Sequence, residues 1–518
     1  MTDKLEKIVE WIHRYPYLTI LGFSGFWACC YPPFPMGWLG FLVLVPLFLA
    51  TSILKPRQAF VAHLWGGLVY NTIMYWWIYN VMKVGPAVVV GFGLLCLILF
   101  LSLFNGLIGL SFRASLRHPL LFITFPLAWA GLEVARALGE MSFPWNNLGY
   151  VLGYWPSLIQ SVSLFGIYGL SALLVACNLL IYQALQSPRG SRAPWFMAWI
   201  AVILTLIVFG KRTLSGEPPL SPSIDIALIQ PAIPQTKKWE ESYFKEVMAK
   251  TFRTMEGPKG NSEDIRGADL VVLAETAVPD FLRSRPDLIE KFQAKARLLN
   301  KPIIVGALDF VFDRKPWREY QFYNSAFLFT PDSGKKAEQY SKLRLVPFSE
   351  KLPFDNIFPI LNYVNLGEGD FSSGDGYKIW GSTLRYAPSI CYEIIYPSFV
   401  RNAKKSGAKF IVNITNDGWF GRTNGPHQHA NIAKFRAVES GMPVVRCSNT
   451  GISVFYDAWG RNLGHTQLMD STILRRKIPI HDRNTVYSRF GGRIDGFFLG
   501  ALGLWILGAI GVYRWKKA

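Results

Sequence analysis

Long apolar segments constrain the fold of this chain more than any other feature of its sequence. Seven of them fill roughly the first 210 residues, and an eighth lies near the end of the chain. Most approach the roughly 20 residues that a helix needs to cross a bilayer, and backbone in lipid must satisfy its hydrogen bonds internally. The sequence therefore predicts a helical membrane domain with about eight spans. The segments are about 17–31, 37–54, 59–81, 86–112, 119–138, 158–184, 195–210 and 496–513.

Basic residues in the short connecting loops predict how these spans are oriented. With the N-terminus inside, most basic loop residues fall inside, whereas the short outside loops hold only Lys83 and Arg136. Inside loops of membrane proteins carry this excess of Lys and Arg. Seven spans then bring the chain to the outer face before the long polar region begins. We expect a seven-span domain at 1–212, an extracytoplasmic catalytic domain at 213–494, and a last span with a cytoplasmic tail at 495–518.

Composition agrees with a membrane protein and argues against a nucleic-acid-binding one. Hydrophobic residues make up 51% of the chain, charged residues only 17%, and the formal net charge is +19. Many of the basic residues flank apolar segments, and we find no nucleic-acid-binding module, so we do not expect a nucleic-acid partner. Only Cys391 and Cys447 lie in the polar region, which does not suggest a disulfide framework.

The polar region alternates strand-like and helix-like patterns, which is typical of an α/β sandwich. Predicted helices cover about 240–255, 286–300, 396–406 and 427–440. Predicted strands cover 224–229, 270–274, 303–308, 325–329, 384–390, 409–414, 444–447 and 452–456.

Three residues at the ends of such elements have the chemistry needed for acyl transfer. Cys391 follows an apolar, strand-like run, Glu275 follows another, and Lys342 lies between them in the sequence. A carboxylate can take the thiol proton as sulfur attacks a carbonyl, and an ammonium can stabilise the oxyanion together with the backbone N–H after the cysteine. Each residue alone has an ordinary structural explanation, so the hypothesis depends on the three acting as a set.

An ordered series of short motifs accompanies these three residues, and with them the chain resembles the nitrilase superfamily. One departure is Leu273-Ala274, where the superfamily usually has Trp-Pro before the catalytic Glu. The motifs are Ile-Pro-Gln at 233–235 with Trp239, Glu-Thr-Ala-Val-Pro at 275–279, Tyr-Asn-Ser at 323–325, the run 342–350, Cys-Tyr-Glu at 391–393, Asn-Asp-Gly-Trp-Phe-Gly at 416–421, Pro-His-Gln-His at 426–429, Arg-Ala with Glu439 at 436–437, and Asn-Thr-Gly-Ile at 449–452.

The resemblance, taken with the predicted spans, is to the membrane-bound acyltransferase branch of that superfamily. It implies an αββα sandwich in which Glu275 is the general base, Lys342 the oxyanion stabiliser and Cys391 the nucleophile. It also implies supporting roles for Glu350, Tyr392 and Glu393, and a substrate-contacting role for Trp239.

The same resemblance implies the reaction, the partners and the location. A fatty acyl chain would pass from a membrane phospholipid, phosphatidylethanolamine, through a thioester on Cys391 to the α-amino group of a diacylglyceryl-cysteine at the N-terminus of an apolipoprotein. No metal and no cofactor is expected. The protein would act as a monomer in a bacterial inner membrane, with its catalytic domain on the periplasmic side.

Two other functions and two local questions stay open at this stage. Water instead of an amine would make the protein a tethered amidase, and an outer domain that only docks partners would make it a transporter or lipid-binding scaffold. His427 and His429 have the spacing of a weak zinc motif, but capping or hydrogen bonding is an alternative. The apolar insertion at 353–370 is either a small satellite core or a lid that contacts lipid.

Overall fold

A computed structural model describes residues 2–83, 87–116, 120–216, 221–257, 263–315, 318–332, 337–355, 357–358, 360, 370–481 and 483–515. The chain forms two compact units. We call Met1–Trp76, Gly93–Gly216 and Arg489–Ala518 the helical unit, and Trp77–Phe92 and Glu217–Ser488 the sandwich unit.

Every apolar segment predicted from the sequence contains an α-helix, but the helices differ in length. Among the described residues, four stretches are long and apolar enough to cross a membrane: Ala87–Ser115, Val162–Gln186, Arg189–Ser215 and Val486–Gly508. The helices in the remaining segments are shorter or more polar. The first, Pro16–Ala28, has 13 residues and is about 20 Å long, against a hydrocarbon core of about 30 Å. The chain is therefore a membrane protein by helix length and composition.

The helices of this part of the chain are α1 (Thr2–Arg14), α2 (Pro16–Ala28), α3 (Val45–Ser52), α4 (Pro56–Tyr75), α5 (Ala87–Ser115), α6 (Leu121–Ala135), α7 (Pro156–Ile159), α8 (Val162–Gln186), α9 (Ala193–Ser215) and, near the end of the chain, α16 (Val486–Trp515).

The sandwich unit has two sheets, each covered on its outer face by helices. Its helices are α10 (Gln235–Lys238), α11 (Phe244–Glu256), α12 (Glu263–Arg266), α13 (Pro286–Leu299), α14 (Pro397–Lys405) and α15 (Gly425–Ser440). Its strands are β1 (Ser223–Gln230), β2 (Leu270–Leu273), β3 (Val278–Phe281), β4 (Ile303–Lys315), β5 (Arg318–Phe329), β6 (Glu338–Ser341), β7 (Tyr386–Ile390), β8 (Phe410–Thr415), β9 (Val444–Ser448), β10 (Val454–Tyr456), β11 (Asn462–His465) and β12 (Thr472–Pro479).

Each of the two sheets contains three neighbouring parallel strands. The first sheet runs β12-β1-β2-β4-β5-β6, with β3 also paired to β4, and the second runs β11-β10-β9-β8-β7. Strands β1, β2 and β4 are parallel, as are β7, β8 and β9. The carboxyl ends of parallel neighbours lie at one edge of a sheet, so residues that follow these strands are brought together.

The central strands are buried on both faces, which explains their continuous apolar sequences. All four residues of β2 and all six of β8 are buried. On the outer face of the first sheet, Met248 of α11 and Phe292 of α13 belong to the same core as Ile229 and Val271. Between the sheets, the thiol of Cys447 on β9 donates to the carbonyl oxygens of Ile229 (3.4 Å) and Val272 (3.3 Å). The α/β sandwich expected from the sequence is confirmed.

All eight predicted strands and all four predicted helices of this unit are present, but four strands are not predicted. These are β3, β6, β11 and β12, which are short or carry few apolar residues. Strand β12 is the clearest case, because Arg475, Arg476 and Lys477 interrupt its alternation. It nevertheless pairs with β1 along its whole length, from Ser223 opposite Pro479 to Gln230 opposite Thr472.

The apolar insertion at 353–370 lies partly outside the described residues, including Leu361, Tyr363 and Val364. Within the described part, the side chains of Phe354, Ile357, Phe358 and Ile360 are exposed by 39%, 65%, 57% and 75%. The described part of the insertion therefore presents apolar side chains at the surface.

Candidate active site

Cys391 lies on a sharp turn at the end of β7. Its φ is +50°, in the left-handed region that non-glycine residues seldom adopt, and a short 3₁₀ turn, Cys391–Ile395, follows. Such a conformation costs on the order of 1–3 kcal/mol and persists only where the surroundings impose it. Because of this left-handed conformation, the chain turns away from the strand direction at Cys391. Part of Cys391 stays accessible to solvent.

Glu275 follows β2 in the opposite sheet and is held by two strong hydrogen bonds. The side-chain amide of Asn324 donates to its Oε1 (2.7 Å), and the backbone N–H of Asn416, just after β8, donates to its Oε2 (2.7 Å). Gly306 of β4 lets the strands approach here, because a Cβ at that position would lie 2.4 Å from the carbonyl oxygen of Ala274. The carboxylate is thus buried, oriented and linked to both sheets.

Lys342 follows β6 and lies between two carboxylates. Its Nζ is 2.7 Å from Oε1 of Glu350 and 3.8 Å from Oε1 of Glu275. Glu350 is itself held by the backbone N–H of Val346, which donates to its Oε2 (2.9 Å), and by Asn324 (3.3 Å). A single asparagine thus contacts both carboxylates that surround the ammonium, so the three charges form one buried set.

The charges of this set act on the Cys391 thiol. Burial and the Glu275 carboxylate raise the pKa of the thiol well above its ordinary value, and the Lys342 ammonium opposes them only in part. For Lys342, burial alone would lower its pKa, but the carboxylates of Glu350 and Glu275 outweigh burial and raise it. At neutral pH the site therefore holds a protonated thiol beside a charged ammonium, so attack by sulfur requires a base to remove its proton.

Of the predicted supporting residues, Glu393 is fully buried. Its carboxylate accepts from the backbone N–H groups of Ile390 (2.7 Å) and Leu343 (2.6 Å) and from the hydroxyl of Tyr340 (2.7 Å). Burial raises the pKa of Glu393 to about 7, against these hydrogen bonds. Glu393 thereby links the segment after Lys342 to the turn that carries Cys391. Tyr392 is also buried, with its ring 5.4 Å from that of Tyr396.

Trp239 differs from these residues because 38% of it is exposed. Its ring stacks on that of Trp419 at a centroid distance of 6.4 Å. The preceding residue, Lys238, is almost fully buried, and its Nζ donates to the backbone carbonyl of Glu275 (3.2 Å). Burial lowers the pKa of Lys238 to about 7, although the Glu275 charge opposes the shift.

Sequence reasoning assigned no role to Lys238, Asn324 or the backbone N–H of Asn416, although each contacts Glu275. Asn324 and Asn416 lie within motifs that carry the family resemblance, so that resemblance was an available signal for them. For Lys238 the only such signal is its position beside Trp239, because a lysine in a polar stretch gives no sign of burial.

Of the roles considered for the His427/His429 pair, His429 has the hydrogen-bonding one. Its Nδ1 lies 3.0 Å from Oδ1 of Asp417, and Arg446 donates to Oδ2 of Asp417 (2.7 Å). Burial would raise the pKa of Asp417, but the Arg446 guanidinium opposes burial, and that pKa lies far below its ordinary value. The ion pair therefore remains charged at neutral pH.

Replacing Asp417 by asparagine should strongly destabilise the sandwich unit, since it leaves the Arg446 charge buried without its counter-ion. We expect a loss of about 3–5 kcal/mol in the free energy of unfolding, measured as a lower thermal midpoint in detergent. Because the folded pKa of Asp417 is depressed, its contribution is present above the unfolded value of about 3.9 and disappears as pH falls through the folded pKa.

The exposed carboxylate of Asp287, paired with Arg285 at 3.1 Å and 51% accessible, provides the matched control. Asp287→Asn should change stability by no more than about 1 kcal/mol. A D417N protein no less stable than D287N at neutral pH would contradict the importance of the buried pair.

The fold and the site together define a class: a membrane-associated carbon–nitrogen hydrolase. Residues 225–486 match the carbon–nitrogen hydrolase family, and residues 23–180 match the apolipoprotein N-acyltransferase N-terminal domain. The chain belongs to the apolipoprotein N-acyltransferase family, a family of enzymes.

Curated relatives and a solved structure give the extent of the similarity. The apolipoprotein N-acyltransferase of Geobacter metallireducens is 32% identical over 88% of this chain and 87% of its own length. That of Rickettsia prowazekii is 30% identical over 71% of this chain and 72% of its own length. Saccharomyces cerevisiae Nit3, a nitrilase-superfamily member, is 17% identical with a TM-score of 0.36, covering 54% of this chain and 97% of that chain. The family assignment rests on the first two and on the matched domains.

Proposed function

We propose that this protein transfers a fatty acyl chain from a membrane phospholipid to the α-amino group of an N-terminal diacylglyceryl-cysteine on an apolipoprotein. The observation that carries the proposal is the buried Glu275–Lys342 pair, whose charges act on the thiol of the partly accessible Cys391, in a chain with helices long and apolar enough to cross a membrane. A thiol that is protonated at neutral pH needs a carboxylate base, and an apolar substrate needs an enzyme held at the membrane.

In the first step the Cys391 sulfur attacks the ester carbonyl and its proton passes to Glu275. The tetrahedral oxyanion is stabilised by the Lys342 ammonium and the backbone N–H of Tyr392. The ester C–O bond then breaks, Glu275 returns the proton to the leaving oxygen, and a lysophospholipid departs. The product on the protein is a thioester, with phosphatidylethanolamine as the proposed donor.

In the second step the α-amino group of the lipoprotein attacks the thioester carbonyl. Glu275 takes a proton from the amine and returns it to sulfur as the C–S bond breaks, which restores the thiol. The amide is more stable than the thioester, so the transfer is downhill. Successive departure of one product and arrival of the second substrate make the scheme ping-pong.

Supporting roles follow from the contacts around the three reacting groups. Glu350 keeps Lys342 cationic, Glu393 orients the turn after β7, the ring of Tyr392 packs against that of Tyr396, and the exposed ring of Trp239 contacts substrate. We extend the proposal to eight spans, to the domains 1–212, 213–494 and 495–518, and to a monomer in a bacterial inner membrane with a periplasmic catalytic domain.

The proposal is tested with the full chain in vesicles of phosphatidylethanolamine that carries a labelled acyl chain. Adding a diacylglyceryl-cysteine peptide should give N-acyl peptide and lysophospholipid in equal amounts. Release of labelled free fatty acid with no acylated peptide would contradict the transfer and favour a tethered amidase. Unchanged product formation in triad variants would instead favour a docking or transport protein.

A further inference from the structure

Behind Cys391 lies a buried polar cluster that the proposed steps do not use. It consists of Asn413 on β8, Asp417 just after β8, His429 on α15 and Arg446 on β9. Each of these side chains is at most 1% exposed. A buried group of this polarity is costly unless its members satisfy one another, so their arrangement is closely determined.

Two members of the cluster converge on the backbone carbonyl of Cys391. Nε2 of His429 lies 3.3 Å from that oxygen, and the side-chain amide of Asn413 donates to it at 3.4 Å. Both distances are at the long end for a hydrogen bond, so the carbonyl is held by two modest contacts.

Arg446 fixes the positions of both donors. Its Nη1 donates to Oδ1 of Asn413 (2.7 Å), which leaves the amide of that residue facing Cys391. Its Nη2 donates to Oδ2 of Asp417 (2.7 Å) and lies 3.0 Å from Nδ1 of His429. One guanidinium therefore orients the asparagine amide and the histidine ring at the same time.

The protonation state of His429 follows from its surroundings. Burial and then the Arg446 charge lower its pKa, so the imidazole is neutral at neutral pH. The carbonyl oxygen of Cys391 can only accept and the Arg446 guanidinium can only donate, so we place the single ring proton on Nε2, where it is donated to Cys391, and the lone pair on Nδ1 accepts from Arg446. The carboxylate of Asp417, whose Oδ1 also lies 3.0 Å from Nδ1, accepts instead from Arg446 and from the hydroxyl of Thr415 (3.1 Å).

Holding this carbonyl has a consequence on the other side of the same peptide bond. The peptide unit between Cys391 and Tyr392 is planar, so its C=O and N–H point in opposite directions. Donors on the oxygen thus determine where the Tyr392 N–H points. The turn at Cys391 is also left-handed, with φ of +50°, a conformation that the protein must maintain against its intrinsic cost.

We propose that His429, assisted by Asn413, is a positioning residue that aims the Tyr392 N–H at the oxyanion by clamping the carbonyl of Cys391. This inference rests on the proposed function, because that backbone N–H matters only if Cys391 attacks a carbonyl. His429 does not touch the reacting atoms. Both half-reactions pass through a tetrahedral oxyanion, so a misdirected N–H slows both.

The test compares His429→Leu with His429→Gln in the full chain, in labelled phospholipid vesicles with the diacylglyceryl-cysteine peptide. Losing one oxyanion donor costs about 10²–10³ in kcat, and we expect misdirecting it in H429L to cost about tenfold to hundredfold, with KM for phospholipid unchanged. Glutamine places an amide N–H near the position of Nε2, so H429Q should recover most of kcat. His427→Leu, on the same helix and partly buried, is the matched control and should keep kcat.

Each outcome decides the inference. A folded H429L with wild-type kcat, a loss that H429Q does not recover, or an equal loss in H427L would overturn it. Should H429L not fold, Asn413→Asp keeps the contact with Arg446 but removes the amide donor, and unchanged kcat there would overturn the clamp. A wild-type protein that forms no acyl-enzyme removes the proposed function, whereas a wild type that transfers beside an unaffected H429L removes only this inference.

Discussion

The Cys391→Ala protein should take up no acyl group from labelled phospholipid and should lose transfer by about a millionfold, the scale of removing a catalytic nucleophile. The physical reason is that both proposed steps pass through the same sulfur. Without it, the amine would have to attack the ester directly, with no thioester to carry the acyl chain from one substrate to the other. The measurement is intact-protein mass spectrometry after incubation with phospholipid, combined with quantification of N-acyl peptide.

Cys447→Ala provides a matched control, because Cys447 is the other cysteine of the sandwich unit and is fully buried between the sheets. It should still form the adduct and transfer the acyl chain. Hydroxylamine-sensitive label that persists on the C391A protein would remove Cys391 from the nucleophile role, whatever the product analysis shows.

Glu275→Gln and Lys342→Met should both abolish most transfer but should move the reactivity of the thiol in opposite directions. Losing the base should lower kcat by about 10²–10⁴, and losing the ammonium by about 10²–10³. Burial and Glu275 raise the pKa of Cys391 and Lys342 lowers it. E275Q should therefore lower the thiol pKa and accelerate alkylation at mildly alkaline pH, whereas K342M should raise the thiol pKa and slow alkylation.

The readout is the pH dependence of iodoacetamide labelling of Cys391, with the C391A protein as the blank for other cysteines. In wild type, the rise in labelling should begin above the ordinary thiol value of about 8.5. A pH dependence of labelling that shifts in the same direction in both variants would show that neither charge governs the pKa of the thiol. Normal transfer by E275Q would dismiss the carboxylate as the base.

The sequence was sufficient to name Glu275, Lys342 and Cys391, because Glu275 and Cys391 each follow a strand-like run and all three have side chains that acyl transfer needs. Their approach was implied by the family resemblance rather than by the strand pattern, because Glu275 and Cys391 follow strands of different sheets and Lys342 follows β6, an antiparallel strand. Fully buried strands such as β2 and β8 were also predictable, since burial on both faces requires an almost continuous apolar sequence.

Edge elements were less predictable. Strand β12 carries three consecutive basic residues, yet it is held along its length by the backbone of β1. Backbone pairing of this kind depends on a partner more than 240 residues away rather than on local pattern. Apolar segments alone likewise do not determine the number of membrane spans, because the helix at Pro16–Ala28 is shorter than its segment.

By itself, the sequence determined that the chain is a membrane protein carrying an α/β sandwich, and which three side chains have the chemistry for acyl transfer. Those properties are local: segment length, periodicity and residue type. Only the tertiary structure decided that Asn324 donates to both carboxylates beside the Lys342 ammonium, that Lys238 is buried against Glu275, and that His429 faces the carbonyl of Cys391. Burial and the direction of a hydrogen bond depend on distant segments packed together, and these set whether a lysine is charged or which nitrogen of a histidine donates.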